Sequence, residues 1–190
     1  MPPFQNNASI SCGTLLISTP KMDDDFFKKS VIVICDTSMA GSFGIAINKT
    51  IEDIDFPTPV FEEDVIFSQI PLRAGGNIHP DHMMLIHDYK EYSDRTLPLT
   101  GEISIGGDLL YLEDMMKEDP MPFVLICFGY CAWSASQIDS EVEEGLWIVG
   151  PNIQLDHLKM AHDELWQHLI KKAQKGSSFL SKFPKHLKDN

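Results

Sequence analysis

Three runs of apolar residues near the start of the chain predict the first strands of a β-sheet. Gly13–Ser18 (GTLLIS) is closed by Pro20, and Val31–Cys35 (VIVIC) is apolar at every position. A continuous apolar run of this length is typical of a strand that is buried on both faces. Phe43–Asn48 (FGIAIN) follows a polar turn, so we predict a hairpin with a longer loop between the second and third strands.

Shorter apolar runs and helical patterns follow along the rest of the chain. Further strands are predicted at Leu72–Gly76, Met83–His87, Glu102–Ile105, Met121–Phe128 and Leu146–Val149. Helices are predicted at Asp108–Lys117 with Asp108 as the N-cap, at Ser134–Glu144, and at Ile153–Ala173 as the longest. The polar stretch Asp88–Pro98 is predicted to be an exposed loop. Strands first and strand–helix alternation later favour a mixed β-sheet in a single α/β domain of the α+β type.

Length and composition fit one globular domain without disulfides. The chain has 190 residues, of which 43% are apolar and 23% charged, and these values are ordinary for a globular protein. No apolar run approaches the roughly 18 residues needed to cross a bilayer. The first residues lack the pattern of a secretory signal, so we expect a cytoplasmic location. The four cysteines form no C-x-x-C pair and are expected to be reduced.

The charge is strongly negative and unevenly distributed. The net charge of −13 disfavours direct DNA binding, which depends on clustered lysine and arginine. Residues 1–170 hold nine basic and twenty-seven acidic residues, a net charge of −18, whereas residues 171–190 hold six basic and one acidic residue, a net charge of +5. The basic tail, Lys175–Asn190, is therefore expected to contact an acidic partner or a membrane surface, to dock onto the acidic body of its own chain, or to remain disordered.

The stretch Gly129–Asp139 (GYCAWSASQID) places a cysteine and two serines where a strand is predicted to end and a helix to begin. It does not match the nucleophile elbow G-x-S-x-G, because Trp133 occupies the position of the last glycine. Ser134 and Gln137 match a capping box, and Trp133 and Ile138 match a hydrophobic staple. Cys131 is the one weak catalytic candidate, and the alternative interpretation is a buried, inert thiol.

No metal, cofactor or phosphate site is predicted. Neither the histidines in His79–His87 nor those at His157, His162 and His168 have the spacing of a metal site. Three positions could offer amides or charge to an anion, although none matches a P-loop or a dinucleotide-binding motif, and turn glycines are the simpler interpretation. They are Gly75–Gly76 near Arg73, Gly106–Gly107, and Asn48–Lys49.

Three segments of the chain resemble the bacterial YqgE/AlgH family. They are GTLLISTPKMDDDFFKKSVIVICDTSMAGSFGIAINKT (Gly13–Thr50), AGGNIHPDHMMLIH (Ala74–His87) and GYCAWSASQIDSEVEEGLWI (Gly129–Ile148). The resemblance implies one domain in which a mixed sheet curls into a pseudo-barrel flanked by helices. It implies no established chemistry, although some members carry the label of transcriptional regulator.

From the pattern and the resemblance together we expect a flexible lead-in at residues 1–12, a family domain at 13–174 and a basic tail at 175–190. The function we expect is that of a non-enzymatic binding or regulatory protein with an unknown protein or small-molecule partner. The alternative is a thiol-dependent or hydrolytic enzyme that uses Cys131.

Overall fold

The structure, a computed structural model, describes residues 9–52, 70–90 and 95–176. The strands of this part of the chain are β1 (Thr14–Ser18), β2 (Val31–Ser38), β3 (Gly41–Ala46), β4 (Leu72–Ala74), β5 (Ile78–His87), β6 (Thr96–Pro98), β7 (Ser104–Gly106), β8 (Val124–Ser134) and β9 (Trp147–Asn152). The helices are α1 (Leu109–Met115), α2 (Gln137–Glu143), α3 (Leu155–Lys159) and α4 (His162–Gly176).

The strands form one sheet in the order β6-β7-β5-β8-β3-β2-β1-β9. Every pairing along this path is antiparallel, and β4 adds a short parallel pairing with β8. The sheet is thus mixed, as the sequence predicts, and it curls into a half-barrel with the four helices around it in a single α+β domain.

Strand β8 joins the two halves of the sheet. Its first half pairs with β5, from Val124 to Phe128, and its last four residues, starting at Cys131, pair with β3. Between them lies Gly129, whose φ of +70° is strained for any residue with a Cβ. A Cβ at Gly129 or at Gly76 would also collide with the backbone of the crossing segment. The two glycines therefore let β8 bend and pass close to the chain before β5.

The core lies on both faces of the central strands. Along β1 every residue is buried, and Leu15 packs in the same cluster as Leu165 and Leu169 of α4. Leu16 faces the other way, into a cluster that contains Trp133 and Trp147. The alternation of side chains along a strand explains why its continuous apolar run is buried on both faces. A third cluster holds α1 against β5 and β8 through Leu112 and Met115.

Several element boundaries differ from those predicted. The loop of the β2–β3 hairpin is tight, because Ser38 pairs with Gly41 and only two residues separate them. The predicted helix Ile153–Ala173 is two helices, since Met160 is extended, with a ψ of 149°. The prediction of a loop through Asp88–Pro98 is wrong at its end, where Thr96–Pro98 forms an edge strand with β7. Residues 91–94 of that stretch lie outside the described residues.

Both ends of the predicted domain continue into ordered structure. Cys12, the last residue of the predicted lead-in, donates a hydrogen bond from its thiol to the Cys35 carbonyl, at 3.1 Å. Helix α4 continues to Gly176, two residues beyond the predicted domain. Residues 1–8 and 177–190, and with them most of the predicted tail, lie outside the described part of the chain.

Candidate functional site

Cys131 lies inside β8 rather than at a turn. Its side chain has no solvent exposure, and its Sγ lies 3.5 Å from the carbonyl oxygen of Gly75. Burial raises the pKa of the Cys131 thiol well above its ordinary value, and the coulombic effect of Asp24 adds to the increase. A neutral, enclosed thiol is a poor nucleophile. All four cysteines are free, and Cys12 is the partly exposed one.

The predicted capping box at Ser134 is only half formed. The Gln137 side-chain oxygen accepts from the Ser134 amide at 3.0 Å, as predicted, but the Ser134 hydroxyl donates to that same oxygen at 3.1 Å instead of accepting from the helix. Ser134 pairs with Gly41 in the sheet, so the strand continues past the predicted boundary. The helix begins later, and its N-cap is Ser136 with a φ of +62°. Trp133 and Ile138 share one apolar cluster, but with Ser136 as the N-cap they do not hold the N′ and N4 positions of a hydrophobic staple, so that prediction is wrong.

Glu141 has a structural role that the sequence pattern does not reveal. Its Oε2 accepts hydrogen bonds from the indole nitrogens of Trp133, at 3.0 Å, and Trp147, at 2.7 Å. Gln137 donates to the other carboxylate oxygen at 2.8 Å. The carboxylate therefore fixes α2 onto β8 and β9. The sequence indicates this role of Glu141 only by placing an acidic residue close to the buried face of an amphipathic helix.

The histidines of β5 have three different surroundings. His79 has a φ of +46° and stacks on Tyr130, with ring centroids 5.9 Å apart. His82 is exposed. His87 has no solvent exposure, and neither ring nitrogen has a hydrogen-bond partner among the described residues. Burial lowers the pKa of His87, so the imidazole is neutral.

The remaining histidines do not converge on a site either. The His157 Nδ1 accepts from the amide of Gln154 at 3.1 Å, and this bond begins α3. Burial is the main cause that lowers the pKa of His157. Across the ranges that the structure describes, no group of three or more His, Cys, Asp or Glu side chains could hold a metal ion.

At the three predicted anion positions, the protein's own hydrogen bonds or an acidic side chain are present. The Gly75 amide donates to the Phe128 carbonyl at 2.6 Å, while the Asn48 side-chain oxygen accepts from the Val31 amide at 2.7 Å. Beyond Gly107, the Asp108 side chain accepts from the Tyr111 amide at 3.0 Å, which confirms it as the N-cap of α1. Asp108 also pairs with Arg95 at 2.7 Å, so an acidic group lies where an anion would bind.

A large groove opens beside the ends of β5 and β8. Its volume is about 1000 Å³. The segment between α1 and β8 forms one wall, and the residues after β5 form another. Prolines and large apolar or aromatic side chains dominate its lining, including Pro71, Pro120, Pro122, Tyr89, Met121 and Phe123. No motif in the sequence indicates this groove, although the run PMPF before β8 contributes much of its surface.

Two contacts hold the walls of the groove together. Asp88 accepts a hydrogen bond from the Phe123 amide at 2.7 Å, and its own amide donates to the Phe123 carbonyl at 3.2 Å. The Tyr89 hydroxyl donates to Glu118 at 3.2 Å. Lys90 and Lys159 also line the groove, so two basic and two acidic side chains balance each other there. Such a site suits a ligand that is mainly apolar and carries little net charge.

The helices of the described ranges are all too short or too polar to span a bilayer.

Comparison with known proteins places these features in a family. The UPF0301 protein of Chlamydia felis is 33% identical over 182 residues, which cover 95% of each chain. The corresponding protein of Chlamydia caviae is 32% identical, with the same coverage of both chains. Among solved structures, the solution structure of AlgH from Pseudomonas aeruginosa matches with a TM-score of 0.68 at 20% identity, covering 96% of this chain and 98% of that one.

A crystal structure of protein DIP2367 from Corynebacterium diphtheriae has the same fold, with a TM-score of 0.65 at 17% identity over 90% of both chains. The family model described as AlgH-like matches residues 15–177. This range contains all the strands and helices described above, apart from Thr14, the first residue of β1. The chain therefore belongs to the AlgH-like family.

Proposed function

We propose that this chain is a non-enzymatic binding protein of the bacterial cytoplasm, which acts in regulation through the ligand or partner that it holds. The observation that carries the proposal is the groove beside β5 and β8. It is large and open, prolines and large apolar or aromatic side chains form much of its lining, and hydrogen bonds between Asp88 and Phe123 and between Tyr89 and Glu118 hold its walls in place. A concave apolar surface with a few fixed polar groups is the usual form of a ligand site.

The alternative, a thiol-dependent or hydrolytic enzyme, would use Cys131. The enclosure of its thiol behind β3 and the segment at Gly75 counts against this alternative. Cys131 is fully buried in the apolar cluster that contains Trp133 and Trp147, so a substrate could reach the Sγ only if that cluster opened.

Nile red, an uncharged apolar dye, tests whether the groove binds ligands. Met121 lines the groove and is 42% exposed, whereas Met39 lies in the β2–β3 turn and is 98% exposed. We expect the fluorescence of the bound dye to fall at least several-fold in Met121→Glu and to stay unchanged in Met39→Glu. Equal dye binding by both variants and the unsubstituted chain would exclude the groove as the binding site.

The basic tail supports a second feature of the proposal, an acidic partner. Residues 171–190 carry +5 against −18 on the rest of the chain, so the tail attracts acidic surfaces and the body repels nucleic acid. We propose that Lys175–Asn190 contacts an acidic partner and that direct DNA binding does not contribute.

A labelled oligoglutamate peptide tests the role of the tail. We expect the full chain to bind it at low salt and to lose most of this affinity when Lys182, Lys185 and Lys188 are changed to Gln. The matched control changes Lys21, Lys28 and Lys117, three lysines of the body that do not line the groove, to Gln and alters the net charge equally. Equal losses in both triple variants would contradict a specific role of the tail, and tight binding of duplex DNA would contradict the exclusion of DNA.

A further inference from the structure

Four of the nine basic residues in the acidic body, residues 1–170, lie together around a second pocket. Its volume is about 510 Å³, and Lys21, Lys28 and Lys29 line it. The fourth, Lys49, donates a hydrogen bond from its Nζ to the carbonyl of Lys28. This pocket shares no lining residue with the groove beside β5 and β8. It is therefore a separate, locally basic place on a strongly acidic domain.

The charges that line the second pocket sum to +2, because one aspartate, Asp23, accompanies the three lysines among its described lining residues. Lys28 Nζ lies 3.1 Å from a carboxylate oxygen of Asp23 and 3.2 Å from one of Asp25, so Lys28 is already paired. Lys21 and Lys29 form no ion pair with any described residue. Exposed charges are screened beyond about 10 Å at 0.1 M salt, so the lining charges decide which ligand is attracted here.

Lys29 has a backbone conformation that favours glycine. Its φ is +55°, in the left-handed region, at the end of the turn before β2. Asn48, which is almost fully buried, holds this conformation: its Nδ2 donates to the Lys29 carbonyl at 2.9 Å, and its Oδ1 accepts from the Val31 amide at 2.7 Å. Glycine would meet the needs of the turn at lower cost. A strained residue that is held in place and carries an exposed, unpaired charge is a feature of binding sites.

Trp166 of α4 gives the same pocket a flat apolar wall. Its side chain is half-buried, and its indole nitrogen donates to the Ser18 carbonyl at 2.8 Å, which fixes the ring. Pro20 and Met22 complete the apolar part of the lining. A planar ligand group can stack on a tryptophan ring that is held in this way. The pocket thus combines an aromatic surface with two unpaired positive charges.

We propose that this pocket binds a small aromatic phosphate monoester, whose phosphate pairs with Lys21 and Lys29 and whose ring stacks on Trp166. The proposal goes beyond the function proposed above and does not rest on the groove. A phosphate monoester carries a charge of about −1.5 to −2 at pH 7, which matches the charge of the lining. Lysine binds phosphate as a mobile point charge, so the two ammonium groups need no fixed fork geometry. Binding involves no covalent step.

Titration calorimetry of the full chain with phenyl phosphate, at neutral pH and low salt, tests the charged contact. We expect Lys29→Asn to weaken binding about fivefold, because asparagine tolerates the left-handed backbone but carries no charge. Lys29→Gly should weaken binding as much without lowering the midpoint of thermal unfolding, so the loss cannot be attributed to misfolding. Lys117→Asn, at an exposed lysine that lines neither pocket, should retain the affinity. Unchanged affinity in Lys29→Asn, or an equal loss in Lys117→Asn, would overturn the inference.

Two comparisons test the aromatic contact. We expect phenyl phosphate to bind about tenfold more tightly than inorganic phosphate, because only the ester stacks on the indole ring. In proton–nitrogen correlation spectra, phenyl phosphate should shift the indole resonance of Trp166 and leave those of Trp133 and Trp147, which are buried and bonded to Glu141, in place. Equal affinity for the two phosphates, or an unshifted Trp166 resonance, would overturn the inference.

The two triple variants of the preceding subsection separate this pocket from the basic tail. The body variant, which removes Lys21 and Lys28, should lose phenyl phosphate and keep the oligoglutamate peptide, whereas the tail variant should do the reverse. Loss of phenyl phosphate from the tail variant alone would place the phosphate on the tail and overturn the inference. The Nile red measurement at Met121 reports on the groove alone, so its outcome decides the proposed function independently of this pocket.

Discussion

The indole nitrogen of Trp147 donates a 2.7 Å hydrogen bond to the carboxylate of Glu141. The same oxygen accepts from Trp133 at 3.0 Å, so one acidic side chain joins helix α2 to two strands that are not neighbours in the sheet. Both tryptophans are nearly fully buried, at 4% and 2% exposure, and neither indole could regain its hydrogen bond from bulk water without moving. This relationship makes Glu141 a structural residue.

Replacing Glu141 should therefore destabilise the domain. We expect Glu141→Ala to lower the free energy of unfolding by about 2–4 kcal/mol, because two buried indole donors would lose a charged acceptor. Urea unfolding followed by tryptophan fluorescence measures the change. Glu143→Ala, on the exposed side of the same helix, is the matched control and should have little effect. Equal stability of the two variants would show that the indole contacts contribute nothing.

The bend in β8 should depend on its glycines. We expect Gly76→Ala to cost about 3 kcal/mol or more, since the new Cβ would collide with the backbone of Tyr130. Gly129→Ala should be similarly severe because of its positive φ and the carbonyl of Gly76. The control is Gly101→Ala, where a Cβ meets nothing within 4 Å. Thermal unfolding measures all three, and a midpoint for Gly76→Ala close to that of Gly101→Ala would contradict the close approach.

His87 should make stability depend on pH in the acidic range. Its pKa in the folded chain is lowered from an ordinary value of 6.5, mainly by burial, so the unfolded chain binds the proton more readily. Stability must then rise with pH in the window between the folded pKa and about 6.5, and fall as the pH drops through it. The charge of the neighbouring Asp88 and a backbone hydrogen bond at Tyr89 oppose this lowering of the His87 pKa without reversing it.

The measurement compares the unsubstituted chain with His87→Phe between pH 5 and 8. We expect the stability difference between them to be constant above about pH 7 and to grow in favour of His87→Phe at lower pH. His157, whose pKa is also lowered, contributes equally to both proteins and cancels. A difference that does not change with pH would mean that His87 becomes protonated as readily in the folded chain as in the unfolded one.

The thiols should differ sharply in their reactivity. We expect a disulfide-exchange reagent at neutral pH to modify Cys12 in the folded chain and to leave Cys35, Cys127 and Cys131 unmodified, because Cys12 is partly exposed whereas the other three are buried. Unfolding should expose all four. In Cys12→Ser, modification of Cys131 at the rate of the unfolded chain would restore the case for a catalytic thiol.

The strands of the central sheet could be predicted because their signal is local. The runs at Leu15–Ile17 and Val31–Cys35 are apolar at consecutive positions, and burial on both faces accommodates such a run. The N-cap at Asp108 could also be predicted from a local pattern. The cap requires only a side chain that accepts from the amide three residues later, here that of Tyr111. The family resemblance added the half-barrel, which the pattern of apolar residues does not specify.

The boundary of β8 depended on distant residues. Its strand continues to Ser134 because β3 pairs with it from Gly41 onwards, and it bends at Gly129 because Gly76 approaches there. Neither partner is close in sequence, so the local pattern of a cap and a staple placed the N-cap at Ser134, two residues before the observed N-cap. The break between α3 and α4 was likewise missed, because the leucine spacing continues through it.

The sequence by itself determined the strands, the acidic body and the absence of a recognisable catalytic motif, because each of these is a property of neighbouring residues or of composition. The tertiary structure alone decided that Cys131 is enclosed, that the PMPF segment forms a wall of a groove, and that the His87 side chain is completely buried. Burial and hydrogen-bond pairing depend on which distant segments the sheet brings together, and strand register, rather than local pattern, sets that arrangement.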